Sequence, residues 1–241
     1  EYMAALLTSV IDNTAKLTEY IGECRRLEIP VLPPSVEDGS AGFTAVEEGI
    51  RFGLAAIKNV GASFIQQMVA ERGRRPFANL QDFCTRMRQN GELNRRAMEN
   101  LIKAGALDCF GFNRRQMFLG YDALFAGADR EKRQNISGQI NLFDLSGAAA
   151  VEKPLLPDTE EYDMIRLLRL EKEATGVYLS GHPLLGYRDL IQSAKLPQVS
   201  DLNGEDAHKL DNKTVTLVAL VAAKRLKITR QNDTMAFITL E

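Results

Sequence analysis

Apolar residues recur at three- and four-residue steps through most of the chain, which predicts mainly helical structure. From residue 2 to residue 27 the spacing predicts one amphipathic helix. Three prolines between residues 30 and 34 end that pattern, so an extended connector is expected there. The apolar stretches at residues 43–46 and 50–53 flank two glutamates and a glycine, and they predict a short β-hairpin.

Polar residues and glycines then divide the sequence into short helices. Asn79, Asn94 and Asn113 each precede an apolar periodic stretch, where an N-cap side chain is preferred. Gly73, Gly105 and Gly176 follow such stretches, where a left-handed residue commonly ends a helix. The predicted helices cover residues 54–60, 62–72, 80–87, 95–104 and 114 to about 133.

The last part of the chain changes character twice. Residues 134–158 are rich in Gly, Ser, Asn and Pro, which predicts an exposed linker. Asp158 or Thr159 is expected to cap a helix over residues 162–175, and a short helix is expected near residues 188–194. Strands are predicted at residues 214–221, 224–229 and 235–240, too few to close a barrel. The predicted fold class is therefore mainly α, with a short β-hairpin, followed by a partial β domain.

Composition excludes several classes of protein. Hydrophobic residues make up 45% of the chain and charged residues 26%, as in folded globular proteins. No apolar run is long enough to cross a bilayer and no secretion signal opens the chain, so a cytoplasmic location without membrane contact is expected. Cys24, Cys84 and Cys109 lie far apart and are expected to be small buried hydrophobes. With only His182 and His208 as further soft ligands, no metal site or other cofactor is predicted.

Charge is unevenly distributed along the chain. The net charge is −2, yet residues 51–115 contain 12 Lys/Arg and 5 Asp/Glu, an excess of seven positive charges. A basic block in an otherwise acidic chain is typical of a protein that contacts a polyanion. The alternative is a helical surface whose basic side chains are simply solvated.

Two stretches near the ends of this basic block resemble the helix-hairpin-helix motif. Residues 56–61 and 101–106 both run apolar residue, lysine, small or turn-forming residue. In the motif, the turn exposes backbone N–H groups at the start of a helix, where a phosphate oxygen binds without any base being read. Contact with duplex DNA would therefore be independent of sequence. The predicted contact residues are Lys58, Asn59, Gly61 and Ala62 in the first hairpin, and Lys103, Gly105, Arg114 and Arg115 in the second.

Neither hairpin matches the motif fully. Asn59 stands in place of the first glycine, although asparagine tolerates positive φ better than most residues. The second hairpin is degenerate. The alternative is a pair of packed helical hairpins that bind no ligand.

Five residues of the predicted linker resemble the peptide with which proteins bind the bacterial sliding clamp. A Leu-Phe pair in a polar loop gains little unless a partner buries it. In the resembled peptide, that pair fills an apolar pocket and a glutamine makes polar contacts. The alternative is a pair that packs onto the chain's own core. The predicted clamp-binding residues are Gln139, Ile140, Asn141, Leu142 and Phe143.

Five blocks of sequence, in order, resemble the bacterial DNA polymerase III alpha subunit family. The blocks are residues 52–61, 80–84, 101–108, 138–143 and 171–184. The resemblance covers nearly the whole chain and corresponds to the C-terminal half of that family. It implies a helix from the end of the fingers region and a connector at residues 1–34, and tandem helix-hairpin-helix motifs at 35–112. It further implies a clamp-binding region at 113–196 and the start of an OB-fold domain at 197–241.

The resemblance implies that the parent protein is a DNA-directed DNA polymerase of chromosome replication, a nucleotidyltransferase that uses Mg²⁺. Transfer by two metal ions needs converging carboxylates, and the sequence offers no such set, so no catalytic residue is predicted here. Expected partners are duplex DNA, the sliding clamp, other replisome subunits and a single-stranded template at the OB domain. Three alternatives stay open: a stand-alone helix-hairpin-helix module of a repair protein, the same segment of an error-prone translesion polymerase, and a purely structural helical scaffold.

Overall fold

A computed structural model of the protein describes residues 1–89, 91, 93–136, 156–194, 196, 213–229 and 232–240. The chain forms two compact units, Glu1–Ser180 and Gly181–Glu241. The first unit is helical with a small three-stranded sheet, and the described part of the second contains a short helix and two strands. This is the predicted class, mainly α with partial β structure. The functional division of the chain into four regions stays a prediction.

Two helices occupy the stretch where one was predicted: α1 (Tyr2–Ser9) and α2 (Thr14–Arg26). The Asn13 side chain accepts a hydrogen bond at 3.1 Å from a backbone N–H in the first turn of α2, so Asn13 is the N-cap of that helix. The apolar spacing continues across the break between α1 and α2, and Leu7 and Leu17, one on each side of that break, are both buried. Periodicity alone therefore could not locate the break.

A small sheet follows, with the strand order β1-β3-β2. The predicted hairpin is confirmed, since β2 (Thr44–Val46) runs antiparallel to β3 (Gly49–Arg51). The proline-rich connector contributes β1 (Val31–Leu32), which pairs in parallel with β3. Gly49 has φ +148°, and a Cβ there would overlap the Pro30 carbonyl oxygen, so this turn requires glycine.

The helix predicted over residues 54–60 is wrong, because only a 3₁₀ turn forms there, at Leu54–Ala56. The buried apolar residues of this stretch are spaced three apart, which fits a 3₁₀ turn as well as a helix. The next helix, α3, spans Ala62–Arg74, so its predicted end at Gly73 is also wrong. Gly73 lies inside the helix and does not have positive φ.

Three helices lie close to their predicted positions: α4 (Leu80–Gln89), α5 (Arg95–Ala104) and α6 (Arg114–Ile136). The predicted caps are confirmed, because the side chains of Asn79, Asn94 and Asn113 accept backbone N–H groups at 2.8, 2.9 and 2.8 Å. The end of α6 extends three residues into the predicted linker. Residues 137–155 of that linker lie outside the described residues.

The last helix of the first unit, α7 (Met164–Thr175), begins two residues later than predicted. Its N-cap is Asp163, whose side chain accepts the backbone N–H three residues on at 2.8 Å, and not Asp158 or Thr159. Gly176 ends α7 with φ +83°, as predicted. The helix therefore has one acidic cap and one glycine cap, of which the sequence identified the second.

One hydrophobic core joins these helices to the sheet. Within it α6 packs along α4, and α7 packs along α5. Cys24 and Cys84 are buried, as predicted, and burial raises the pKa of the Cys84 thiol to about 12. Cys109 is exposed, which corrects the prediction that all three cysteines are buried.

In the second unit, α8 (Arg188–Ser193) lies where a short helix was predicted. The strands β4 (Val221–Ile228) and β5 (Thr234–Leu240) form an antiparallel pair, which confirms two of the three predicted strands. Residues 213–220 contain no strand, so the first of the three is wrong. The first paired strand of this unit begins only at Val221, the first residue of β4.

Candidate nucleic-acid interface

The first hairpin presents its turn to solvent. Ile57 and Val60 are buried beneath the turn, whereas Lys58 and Asn59 between them are exposed. Asn59 has φ +61°, so it adopts the left-handed conformation that the motif ordinarily gives to glycine. The departure from the motif at this position therefore leaves the backbone path of the turn intact.

Gly61, at the start of α3, has no internal reason to be glycine. Its φ is −77°, a value that any residue adopts, and it is exposed together with Ala62. A Cβ built on Gly61 would meet only the Ser63 side chain, at 4.0 Å. Gly61 is the N-cap of α3 and provides no side-chain cap. The first turn of a helix carries backbone N–H groups without helical partners, and a ligand can approach this one closely.

Gly105, in the second hairpin, is glycine for internal reasons. Its φ is +79°, and a Cβ there would overlap the Arg114 guanidinium and lie 2.8 Å from an Asp108 carboxylate oxygen. The left-handed residue ends α5, as predicted. Gly105 therefore makes room for an ion pair and not for a ligand.

Arg114, which the sequence predicted as a phosphate ligand, is an internal ion-pair partner. Its side chain is only 7% exposed and pairs with Asp108 at 2.9 Å and with Glu171 at 3.1 Å. It also donates a hydrogen bond to the Lys103 carbonyl oxygen. Partial burial raises the pKa of Asp108, and the adjacent Arg114 guanidinium opposes that shift.

Glu171, at the centre of this network, was not identified from the sequence as a structural residue. It is fully buried, and its carboxylate accepts the backbone N–H groups of Leu179 and Ser180 at 3.0 and 2.9 Å. It also accepts the Ser180 hydroxyl at 2.5 Å and the Arg114 guanidinium. A buried carboxylate needs such partners to remain charged. The sequence block at residues 171–184 thus contains a glutamate that holds the backbone of the residues that follow α7.

The start of α6 is occupied by the chain's own carboxylate. Glu161 accepts the backbone N–H groups of Arg114 and Arg115 at 2.7 and 3.1 Å, which satisfies two donors of the first turn. The Asn113 amide donates to the Thr159 carbonyl oxygen at 2.7 Å and fastens the same segment. In the second hairpin, this helix start is therefore closed, in contrast to the start of α3.

Lys58 and Lys103, one from each hairpin, converge on the last turn of α7. The Lys58 ammonium donates to the Glu173 carbonyl oxygen at 2.8 Å, and its backbone N–H donates to Ala174 at 2.9 Å. The Lys103 ammonium pairs with the Glu173 carboxylate at 2.7 Å. Lysines are stabilised at helix C-termini, where carbonyl groups lack helical partners. Helix α7 therefore contacts both predicted hairpins.

The basic block carries less free charge than its sequence suggests. Of its 12 Lys/Arg, at least eight form ion pairs within the described residues. Their acidic partners come from the block itself, from the turn at Asp38 and from helices α6 and α7. Charge counting along the sequence therefore overstates the positive surface, and the geometry of the first hairpin becomes the stronger observation.

Two features are absent from the described part of the chain. No helix there is both long and apolar enough to span a membrane. Among the same residues, no three His, Cys, Asp or Glu side chains come together as a group that could hold a metal ion. The predicted clamp-binding residues, Gln139 to Phe143, lie outside the described residues.

Known proteins are similar to this chain along its whole length. A family model described as helix-hairpin-helix motif matches residues 28–117, which include both hairpins. Over the whole chain, the DNA polymerase III subunit alpha of Thermus aquaticus is 40% identical and that of Xylella fastidiosa (strain Temecula1) 37% identical. The chain is homologous to DNA polymerase III alpha subunits. That of Bacillus subtilis (strain 168) is 36% identical over 99% of the chain. The chain spans about a fifth of the length of these relatives, 19% to 21%.

Proposed function

We propose that this chain holds duplex DNA by its sugar–phosphate backbone, as part of a bacterial replicative DNA polymerase. The observation that carries the proposal is the open start of α3. There Asn59 is left-handed, Gly61 leaves space for an approaching ligand, and Ala62 is exposed. The family-model match to the helix-hairpin-helix motif and the whole-chain similarity to polymerase subunits support it.

The chemistry of such a contact is electrostatic. The first N–H groups of α3 and the helix dipole favour a phosphate oxygen, and the exposed Lys58 adds a positive charge beside it. Small residues at positions 61 and 62 let the backbone approach the nucleic acid closely. Because phosphates carry no sequence information, the grip is independent of sequence and suits an enzyme that moves along its template.

The second hairpin has a different role in this proposal. Lys103, Gly105 and Arg114 belong to internal ion pairs and packing, so they support the fold of the first hairpin. Arg115 is exposed and donates to the Glu160 carbonyl oxygen at a long 3.5 Å, which leaves it available to a phosphate. The DNA-contact set therefore reduces to Lys58, Asn59, Gly61, Ala62 and Arg115.

The clamp is the second proposed partner. The peptide from Gln139 to Phe143 follows Ile136, the last residue of α6, after two intervening residues. Burial of Leu142 and Phe143 in an apolar pocket of the clamp would gain roughly 3 to 6 kcal/mol, part of which is lost in ordering the peptide. The support for this partner is the sequence of the peptide and its place among the ordered blocks.

The strands of the second unit suit an OB-fold domain that binds single-stranded template. Arg225 lies directly opposite Phe237 in the β4–β5 ladder, and Lys227 lies two residues along on the same face. Lys224 occupies the other face. A cation beside an exposed aromatic ring is the pairing that stacks and neutralises single-stranded nucleic acid.

The remaining parts of the proposal concern the whole protein. We expect DNA-directed DNA synthesis in the cytoplasm, with Mg²⁺ and other replisome subunits, and with catalysis located outside this chain. No step of nucleotidyl transfer is assigned to residues of this chain.

The proposal is tested by titrating the chain with fluorescent duplexes of unrelated sequence over a salt series. If Lys58 and Arg115 each neutralise one phosphate, the slope of log K against log salt is roughly −1.8. Lys58→Ala should flatten that slope by about 0.9, since one cation is removed. Sequence-dependent affinity, or affinity without salt dependence, would contradict the proposal.

A further inference from the structure

Glu173, in the last turn of α7, contacts the lysines of both hairpins. Its carbonyl oxygen binds the Lys58 ammonium at 2.8 Å, and its carboxylate binds the Lys103 ammonium at 2.7 Å. One residue of α7 thus contacts both lysines that the sequence assigned to phosphate. This residue lies beyond the stretch that matches the helix-hairpin-helix family model, which ends at residue 117.

The ion pair has a definite polarity with respect to solvent. The Lys103 side chain is 14% exposed, whereas the Glu173 side chain is 61% exposed. The cation is therefore the more buried partner and the anion the more exposed one, and the centroid of the Phe118 ring lies 5.9 Å from the Lys103 ammonium. A phosphate that approaches the second hairpin here meets a carboxylate before it meets the lysine.

The same carboxylate acts on the first hairpin through space. A phosphate held by Lys58 would lie close to the backbone of Glu173, because the lysine is hydrogen-bonded to that residue. The Debye length is about 10 Å at 0.1 M salt, so an exposed carboxylate on the same residue repels such a phosphate appreciably. Both effects weaken the grip on DNA.

We propose that Glu173 weakens the DNA contact as an internal counter-anion that withholds Lys103 from phosphate. The proposal rests on the proposed function, since it presupposes duplex binding at the first hairpin. It assigns to α7 a role in setting how strongly the chain holds DNA. A polymerase that translocates needs a backbone grip that is weak enough to be renewed at each step, and an outward-facing carboxylate provides it.

The test uses the full chain and a random-sequence duplex, over salt from about 50 to 200 mM. Glu173→Gln keeps the size of the side chain and removes its charge. Since an ion pair that is open to solvent on one side contributes about 0.2–1 kcal/mol, the variant should bind roughly 1.4- to fivefold more tightly at the low end of the series. With Lys103 released, the slope of log K against log salt should steepen by about 0.9.

Two matched variants isolate the cause. Glu48→Gln removes the same charge from the exposed β2–β3 turn and should leave affinity and slope close to those of the parent chain. In a Lys103→Met background, Glu173→Gln should no longer steepen the slope, because the cation it would release is absent. Far-UV circular dichroism checks that each variant is folded.

The outcomes distinguish this proposal from the one on which it rests. If the parent chain binds no duplex, the proposed function fails and this inference fails with it. If the parent binds with salt dependence but Glu173→Gln binds equally or more weakly, Glu173 only positions the hairpins and this inference alone is overturned. A steeper slope that persists without Lys103 would likewise overturn it.

Discussion

Replacing Gly105 and Gly61 by alanine, one at a time, separates the two uses of glycine in the hairpins. At Gly105, with φ +79°, a left-handed alanine costs about 1–2 kcal/mol. Its Cβ would also overlap the Arg114 guanidinium, which pairs with the fully buried Glu171 at 3.1 Å. Breaking a buried pair costs about 3–5 kcal/mol, and partial displacement costs part of it. We expect Gly105→Ala to lose roughly 2–4 kcal/mol of unfolding free energy.

Gly61→Ala should behave in the opposite way. Its φ is −77° and the space around its Cβ is open, so alanine introduces neither strain nor overlap. Exchanging Gly for Ala at an N-cap costs only about 0.5–1 kcal/mol. The new methyl group, however, stands on the surface where the DNA backbone is proposed to approach. The variant should therefore remain folded and lose affinity for duplex DNA.

Urea unfolding followed by far-UV circular dichroism measures both variants, since the chain has no tryptophan for fluorescence. The shift in midpoint at constant m gives the change in free energy. Duplex binding is measured on the same preparations at a temperature where each is folded. If Gly105→Ala costs no more than Gly61→Ala, the buried arrangement around Arg114 is refuted. If Gly61→Ala binds DNA as the parent does, close approach at α3 is refuted.

Three further predictions address other parts of the chain. The double variant Leu142→Ala/Phe143→Ala should abolish binding to a bacterial sliding clamp and leave helix content unchanged. Surface plasmon resonance measures the binding, at clamp concentrations around the micromolar affinity expected of a short peptide. If the variant unfolds and the parent chain binds no clamp, the pair belongs to the core. Glu161→Gln should cost about 0.3–1 kcal/mol of unfolding free energy, because it removes a charge from the start of α6. Glu160→Gln should cost nothing measurable in the same urea experiment, and equal losses in the two variants would count against a specific cap by Glu161. Because burial raises the pKa of Cys84 to about 12, its thiol stays protonated at pH 8, and iodoacetamide followed by mass spectrometry should modify Cys84 only in urea; modification in the native chain would contradict its burial.

The sequence predicted the elements whose ends carry their own local signals. The helices after Asn79, Asn94 and Asn113 begin where predicted, because an asparagine side chain caps the neighbouring backbone without help from elsewhere. The turns at Gly105 and Gly176 are left-handed as predicted, for the same local reason. Elements were misplaced where distant contacts decide. The stretch after Leu54, for example, leaves the helical path at Ile57, and the backbone N–H of the next residue, Lys58, donates to α7.

The candidate site divides along the same line. The shape of the first hairpin followed from the order of residues in the motif, and Asn59 adopts the conformation expected of it. The ion-pair partner of each cation did not follow from the sequence, because that partner lies far away along the chain. Arg114 is paired with Glu171, and Lys103 with Glu173, across 57 and 70 residues. A count of basic residues along the chain contains no information about such partners.

The most direct test of the account places a negative charge at the start of α3. Ala62→Glu adds an acidic residue to a first helical turn that has none, which favours the helix dipole by about 0.3–1 kcal/mol and should not lower stability. It would also repel a phosphate at the proposed contact. Ala70→Glu, on the same helix about 12 Å further along and also exposed, is the matched control. We predict that Ala62→Glu loses duplex binding while Ala70→Glu largely retains it, with both variants as stable as the parent. Equal binding by the two variants would contradict a phosphate contact at the start of α3.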